Sequence, residues 1–206
     1  ITLILVLLGI LLFFAPLPEV QAVGEAEGIV DETSLYANSK RHLFQFPHLI
    51  LGGIAIFLYV GVENAILTSI NDYAIELNIR SPERFAVYTS VGYVIGYLLG
   101  ILLIPKMISQ RNAMIVCSVL GTGLTFFVTQ LNGSFGIYLL AALGFANSLI
   151  WPAIWPLALS SLGKFTKSGA SFLVMGIAGG GVIPPMLGLL RDSFESYQHA
   201  YWLLMV

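Results

Sequence analysis

Apolar residues in this chain come in long unbroken blocks rather than at helical or alternating intervals. Five blocks are near membrane length, at roughly Leu49 to Ser69, Phe85 to Ile104, Ala113 to Leu131, Phe135 to Ser160 and Ala170 to Leu190. About 20 apolar residues suffice for a helix to cross the hydrocarbon core, so each block predicts a transmembrane helix. The absence of period-2 alternation excludes an outer-membrane barrel. Two shorter blocks, Ile1 to Leu17 and the closing AYWLLMV, predict further spans that are cut, and hence a fragment of a larger polytopic protein. A signal peptide is the competing reading of the first block, but no basic region precedes it.

Polar residues confirm the frame. The longest polar stretch, Glu19 to His48, predicts a solvated tether between two helical bundles. Lys40 with Arg41, Lys106 with Arg111, and Lys164 with Lys167 occupy alternate connections; Arg80, Arg84 and Arg191 occupy the others. By the positive-inside rule the first set is cytoplasmic, and the first complete helix runs outward from Leu49.

Composition agrees with a membrane protein. Of 206 residues, 57% are hydrophobic and 10% charged, against roughly 25% charged in soluble domains. The net charge of -2 and the lack of a long basic run predict no nucleic-acid partner. Cys117 is the single cysteine and reads as a packing residue.

Candidate chemistry is sparse. Glu63 is the one acidic residue well inside an apolar block, where a charge costs on the order of 3 kcal/mol even on permissive insertion scales. It reads either as a proton carrier or sugar hydrogen-bond acceptor, or as a protonated interhelical contact. Asn64, Thr68 and Asn71 form a narrow stripe at i, i+4 and i+7, about 100° from Glu63. In the second helix, Gly92, Gly96 and Gly100 form a doubled G-x-x-x-G ridge flanked by Tyr93 and Tyr97, which predicts close helix packing and no ligand. Pro105 ends that block. The third helix, with Gly121, Thr122, Gly123 and Thr125, carries no functional signal.

The stretch from Asn147 to Gly188 constrains most. Gly144, Asn147, Trp151 and Trp155 share one face, an amide and two indoles suited to sugar hydroxyls and C–H faces. The alternative is an interfacial aromatic belt, which fits Trp155 better than Trp151. Beyond the basic turn, Gly179, Gly180 and Gly181 precede Pro184 and Pro185. The prolines deprive the carbonyls of Gly180 and Gly181 of partners, which predicts a bend or break there, a candidate gate. No nucleophile–base pair, paired carboxylates or metal-ligand cluster is present, so neither a catalytic residue, a metal nor a cofactor is expected, and a membrane-embedded enzyme is disfavoured.

At these residues a resemblance enters. Phe145 to Ile150 and the following WPAIWPLALSSLGKFTKSGASFLVMGIAGGGVIPPMLG resemble the tenth and eleventh helices of the fucose permease and glucose/galactose transporter branch of the major facilitator superfamily. PHLILGGIAIFLYVGVENAI, from Pro47, resembles the start of its seventh. The resemblance implies an all-α membrane protein, a half-bundle comprising the end of helix six (1–18), the cytoplasmic central loop (19–48), and helices seven to eleven with the start of helix twelve (49–206). It implies a multi-pass protein of a bacterial inner membrane that moves a small neutral hexose with a proton or another cation, its partner being an amino-terminal six-helix bundle absent from this sequence. Asn147, Trp151, Glu63, Asn64 and Asn71 are the expected substrate contacts, and Gly179 to Gly181 with Pro184 and Pro185 the expected gate. Glu63 matches a glutamate of the glucose/galactose members, whereas Tyr97 follows Gly96 where many members have arginine. The family's acidic coupling residues lie largely in the amino-terminal bundle. A major facilitator transporter for a different small solute, or an inactive truncated half, are the alternatives; the lack of basic residues in the apolar blocks argues against anions.

Overall fold

The computed structural model describes residues 37–104, 106–131 and 134–205. The expected end of helix six, the connector as far as residue 36, and Pro105 lie outside the described residues. Among the described residues every regular element is helical, and five stretches are long and apolar enough to span a membrane.

The first, α1 (Pro47–Glu76), follows a single 3-10 turn at Leu43–Gln45. Pro47 sits at its first position, where a missing N–H costs nothing. Its 30 residues extend about 45 Å at 1.5 Å per residue, more than the hydrocarbon core. Asp72 and Glu76 therefore reach the aqueous edge. The helix stops at Leu77 and Asn78, the latter in the left-handed conformation (φ 55°) that asparagine tolerates.

α2 (Glu83–Leu103) and α3 (Gln110–Gln130) follow. Ser109 caps α3 by accepting a hydrogen bond from the Asn112 N–H at 3.2 Å. The fourth span is divided into α4 (Ser134–Asn147) and α5 (Ile150–Ala158) by a turn at Ser148 and Leu149. Pro152 explains the position: it has no N–H for the Ser148 carbonyl, and its ring crowds that carbonyl. The fifth span comprises a 3-10 turn at Gly163–Phe165, α6 (Thr166–Met175), a second at Gly176–Ala178, and α7 (Gly179–Phe194). α8 (Tyr197–Ala200) and a 3-10 stretch, Tyr201–Met205, close the described chain.

The expected break at Gly179 to Pro185 needs correction. α7 runs through Pro184 and Pro185, and the irregular turn lies just ahead, at Gly176–Ala178. Gly180 and Gly181, without Cβ atoms, leave their carbonyls room to tilt from the proline rings. The tightening falls where the chain crosses α1: a Cβ on Gly176 would lie 2.9 Å from the Gly53 carbonyl oxygen, and one on Gly179 would overlap that of Phe57.

α1 is the hub, packed against α2, α4, α5, α6 and α7. Two apolar clusters lie along it. One, at the amino-terminal end of α1, gathers Phe46, Leu49, Ile56, Tyr59, Val60, Ile154 and Leu173; the other gathers Ala65, Ile66, Ile70, Tyr73, Ile137, Leu140 and Tyr201. Glu63 falls at the seam.

The glycine ridge of α2 packs on the end of α4, as its spacing predicts. A Cβ on Gly92 would lie 2.9 Å from the Phe145 nitrogen, while one on Gly96 or Gly100 would overlap Ser148 or Leu149, respectively. Reciprocally, Gly144 abuts the Thr89 carbonyl. At the carboxy-terminal end of α1, Glu76 joins it to α7 and α8. It accepts the Tyr197 backbone N–H at 3.2 Å and stands 3.6 Å from Arg191, whose guanidinium lies over the Tyr197 ring.

Gly96→Leu is expected to force α2 off α4 and cost about 1–3 kcal/mol through overpacking. Gly123→Ala, on α3 with open space around its Cβ position, is expected to be neutral or to stabilise by up to about 1 kcal/mol. Thermal unfolding of the purified variants in detergent checks both.

Candidate functional site

The helix packing converges on one level. Glu63, Tyr93 and Asn147 lie close to the middle of their respective spans, Pro47–Glu76, Glu83–Leu103 and Ser134–Ala158. Tyr59, Tyr97 and Trp151 each stand four residues toward the end of the bundle where α1 begins, because α1 runs opposite to α2 and to the fourth span. The six make two stacked layers about 6 Å apart, one helical turn.

Within them the Glu63 carboxyl faces the phenols of Tyr59, Tyr93 and Tyr97, and Tyr93 interacts with both Glu63 and Asn147. Tyr93 and Tyr97 stack, with ring centroids 6.3 Å apart. Trp151 lies 6.2 Å from the Tyr59 ring and 5.7 Å from that of Trp155. A recess of about 300 Å³ opens among them, lined by Tyr59, Val60, Glu63, Tyr97, Trp151 and Ile177. That is the lower end of small-molecule site volumes, roughly 300–1,000 Å³.

The Trp155 indole nitrogen is buried without a hydrogen-bond partner, whereas the Tyr59 hydroxyl and the Asn147 amide, also buried, are turned toward Glu63 and Tyr93 respectively. Unsatisfied buried donors cost about 1–3 kcal/mol each, and they are commonly kept where a ligand or water completes them. Asn147 is 5% exposed. On the α3 side a second cavity, about 270 Å³, shares Tyr59 with the recess and is lined by Asn147, but its other walls are mainly apolar, including Leu58, Met114 and Leu204. Of these two, the recess is the one that holds a carboxylate.

The expected residues separate into groups. Glu63, Asn147 and Trp151 come together. Asn64 instead donates to its own helix, to the Val60 carbonyl at 2.9 Å, and lies against Gly180 of α7. Thr68 donates to the Asn64 carbonyl at 2.7 Å. The Asn71 side-chain oxygen is buried and unpartnered, about 12 Å beyond Glu63 along the axis. The stripe is thus directed away from the recess, as its angular offset predicts. Among the gate residues, Gly179 and Gly180 touch α1 while Gly181 faces open space; Ile177, from the 3-10 turn before them, reaches the recess. Trp155, assigned by sequence to the interface, has its indole nitrogen buried within the protein.

Tyr59, Tyr93 and Tyr97 are the residues that the sequence did not single out as contacts. A signal existed for the first, four residues before Glu63 on the same helix face. For the other two there was none, because only the docking of the glycine ridge turns them toward α1. Among the described residues no group of three metal-ligating side chains assembles.

A crystal structure of a major facilitator superfamily transporter, FucP, in the outward conformation superposes on 97% of this chain with a TM-score of 0.79, at 23% identity, and 48% of that chain is covered. The fold is that of a major facilitator half-bundle. The half-bundle is 28% identical over 193 residues to a putative glucose/galactose transporter of Helicobacter pylori, covering 92% of this chain and 45% of the relative. It is 27% identical over 168 residues to a glucose/galactose transporter of Brucella abortus, covering 79% and 40%, respectively. With the L-fucose-proton symporter of Escherichia coli, identity is 25% over 194 residues, covering 92% and 43%. The half-bundle thus spans less than half the length of the curated relatives it matches. No protein-family model matches it.

Glu63 has no cationic partner near it, since every Lys and Arg lies in a connector or at a helix end. Glu63→Gln is therefore expected to raise stability by about 1 kcal/mol or more, by removing a desolvated charge. Glu76→Ala is expected to lower it by about 1 kcal/mol through the lost Tyr197 N–H acceptor. Opposite shifts in thermal unfolding midpoint would confirm that the two glutamates differ in role.

Proposed function

We propose that this half-bundle is the carboxy-terminal half of a secondary active symporter, which carries a hexose across a bacterial inner membrane together with a proton or another cation. The observation that carries the reading is the mid-span recess in which Glu63 meets Tyr59, Tyr97 and Trp151, linked through Tyr93 to Asn147 in the adjoining cavity. Its chemistry suits a neutral sugar: the phenols and the Asn147 amide supply hydrogen-bond donors, Glu63 supplies an acceptor, and the Trp151 ring offers an apolar plane for ring C–H groups. The names carried by the relatives, glucose/galactose transporter and L-fucose-proton symporter, support the same substrate class.

In this reading an amino-terminal six-helix bundle supplies the opposite wall of the site, and the two bundles rock about it. The segment from the Gly176–Ala178 turn through Gly179, Gly180, Gly181, Pro184 and Pro185 is the flexing element. It adjoins the recess through Ile177 and leans on α1 through Gly179 and Gly180, so movement there changes the recess and the α1 contact together. Asn64 and Asn71 belong to this α1 surface and act on the motion rather than holding the sugar. The lone carboxylate and the lack of a basic side chain at its level disfavour an anionic substrate.

In vesicles containing the full-length transporter, Asn147→Ala is expected to lower hexose uptake at least tenfold, and Glu63→Gln to flatten the dependence of uptake on external pH. Normal uptake and pH response in both variants would sink the assignment.

A further inference from the structure

We propose that the Glu63 recess takes a protonated amine, so that the transporter's substrates include amino sugars of the 2-amino-2-deoxyhexose class. This rests on the hexose-transporter reading above and deepens it.

Charge sets the first constraint. Glu63 lines the recess with Tyr59, Tyr97 and Trp151, and these, with Tyr93, are the polar groups of this half that face it among the described residues. Phenols and an indole offer hydrogen-bond donors and π faces, but no positive charge. Lys and Arg are confined to Lys40, Arg41, Arg80, Arg84, Lys106, Arg111, Lys164, Lys167 and Arg191, all in connectors or near helix ends. A carboxylate at mid-membrane depth with no cation is the costly arrangement; one matched by a cation is far less so.

The walls have the complementary chemistry. A cation within about 6 Å of an aromatic centroid is attracted by the ring quadrupole, most strongly when both are desolvated. Here the stacked Tyr93 and Tyr97 pair and the Tyr59 and Trp151 pair, with rings tilted at 41°, surround one carboxylate. An ammonium group on a pyranose ring places three donors beside Glu63 while the ring lies on Trp151. A neutral hexose makes the hydrogen bonds but leaves the charge uncompensated, so that it binds with a proton on Glu63 instead. Both substrate classes thus use one site, with the compensating positive charge carried by the ligand in one case and by the carboxyl in the other.

The test compares two isosteres in vesicles of the full-length transporter, each competing against labelled glucose. At a pH where the amine is protonated, 2-amino-2-deoxyglucose is expected to compete at least tenfold more strongly than unlabelled glucose. In Glu63→Gln the ratio is expected to collapse to about one, while Glu63→Asp, which keeps the charge, retains part of it. Quenching of tryptophan fluorescence by the two sugars gives the same ratio for variants that do not transport. Equal competition in the wild type, or a ratio that survives Glu63→Gln, overturns the proposal with hexose transport intact. Absence of any glucose uptake by the wild type instead overturns the hexose reading on which it stands.

Discussion

Backbone contact at glycine sets the geometry on which everything else in this bundle depends. In lipid the apolar side chains gain nothing by turning inward, so helices associate through close packing, and that needs residues without side chains at the crossing points. Gly92, Gly96 and Gly100 let α2 approach the backbone of Phe145 and the side chains of Ser148 and Leu149. Gly176 and Gly179 do the same for the fifth span on the carbonyls of Gly53 and Phe57. With α2, α4 and α7 drawn up to α1, the mid-span residues of four helices are brought to one level.

That level is where the polar residues are. Between one cluster around Phe46, Leu49 and Ile56 and a second around Ile70, Tyr73 and Tyr201, α1 carries Glu63 into a ring of aromatic side chains. The clusters give the bundle its stability and the seam gives it its chemistry. The desolvated Glu63 carboxyl and the unpaired Trp155 indole nitrogen in the seam are a local cost that the packed clusters offset. Such a distribution is usual for a binding site: the scaffold is over-determined and the site under-satisfied.

The irregular helices have separate roles. The turn at Ser148 and Leu149 ends α4 just past Asn147, so the amide and Trp151 are presented from two short helices rather than along one continuous face. On the fifth span the 3-10 turn at Gly176–Ala178 touches both α1 and the recess, whereas the helix carrying Pro184 and Pro185 stays intact. Prolines mark where backbone hydrogen bonds are lost, but neighbouring contacts decide which turn yields. Here the close backbone contacts with α1, at Gly176 and Gly179, fall about one and a half to two turns before the prolines.

Hydrophobic block length by itself determined the five spans, because the bilayer demands about 20 apolar residues wherever a helix crosses it. Basic residues at the ends determined the predicted orientation, and the G-x-x-x-G spacing determined the packing face of α2. Glu63, Asn147 and Trp151 were legible as candidates because a carboxylate, an amide and an indole are rare in such surroundings. Tertiary structure alone decided that Glu63 and Trp151 meet in one recess, that Tyr97 joins them and that Tyr93 links Glu63 to Asn147, whereas the angular offset of Asn64 and Asn71 from Glu63 was already legible in the helical period. Tertiary structure also decided that the fifth span tightens at Gly176 rather than at its prolines. The reason is the same in each case: sequence periodicity gives the direction of a side chain about its own helix axis, whereas its partners depend on how neighbouring axes cross, and those crossings are set by contacts distant in the chain.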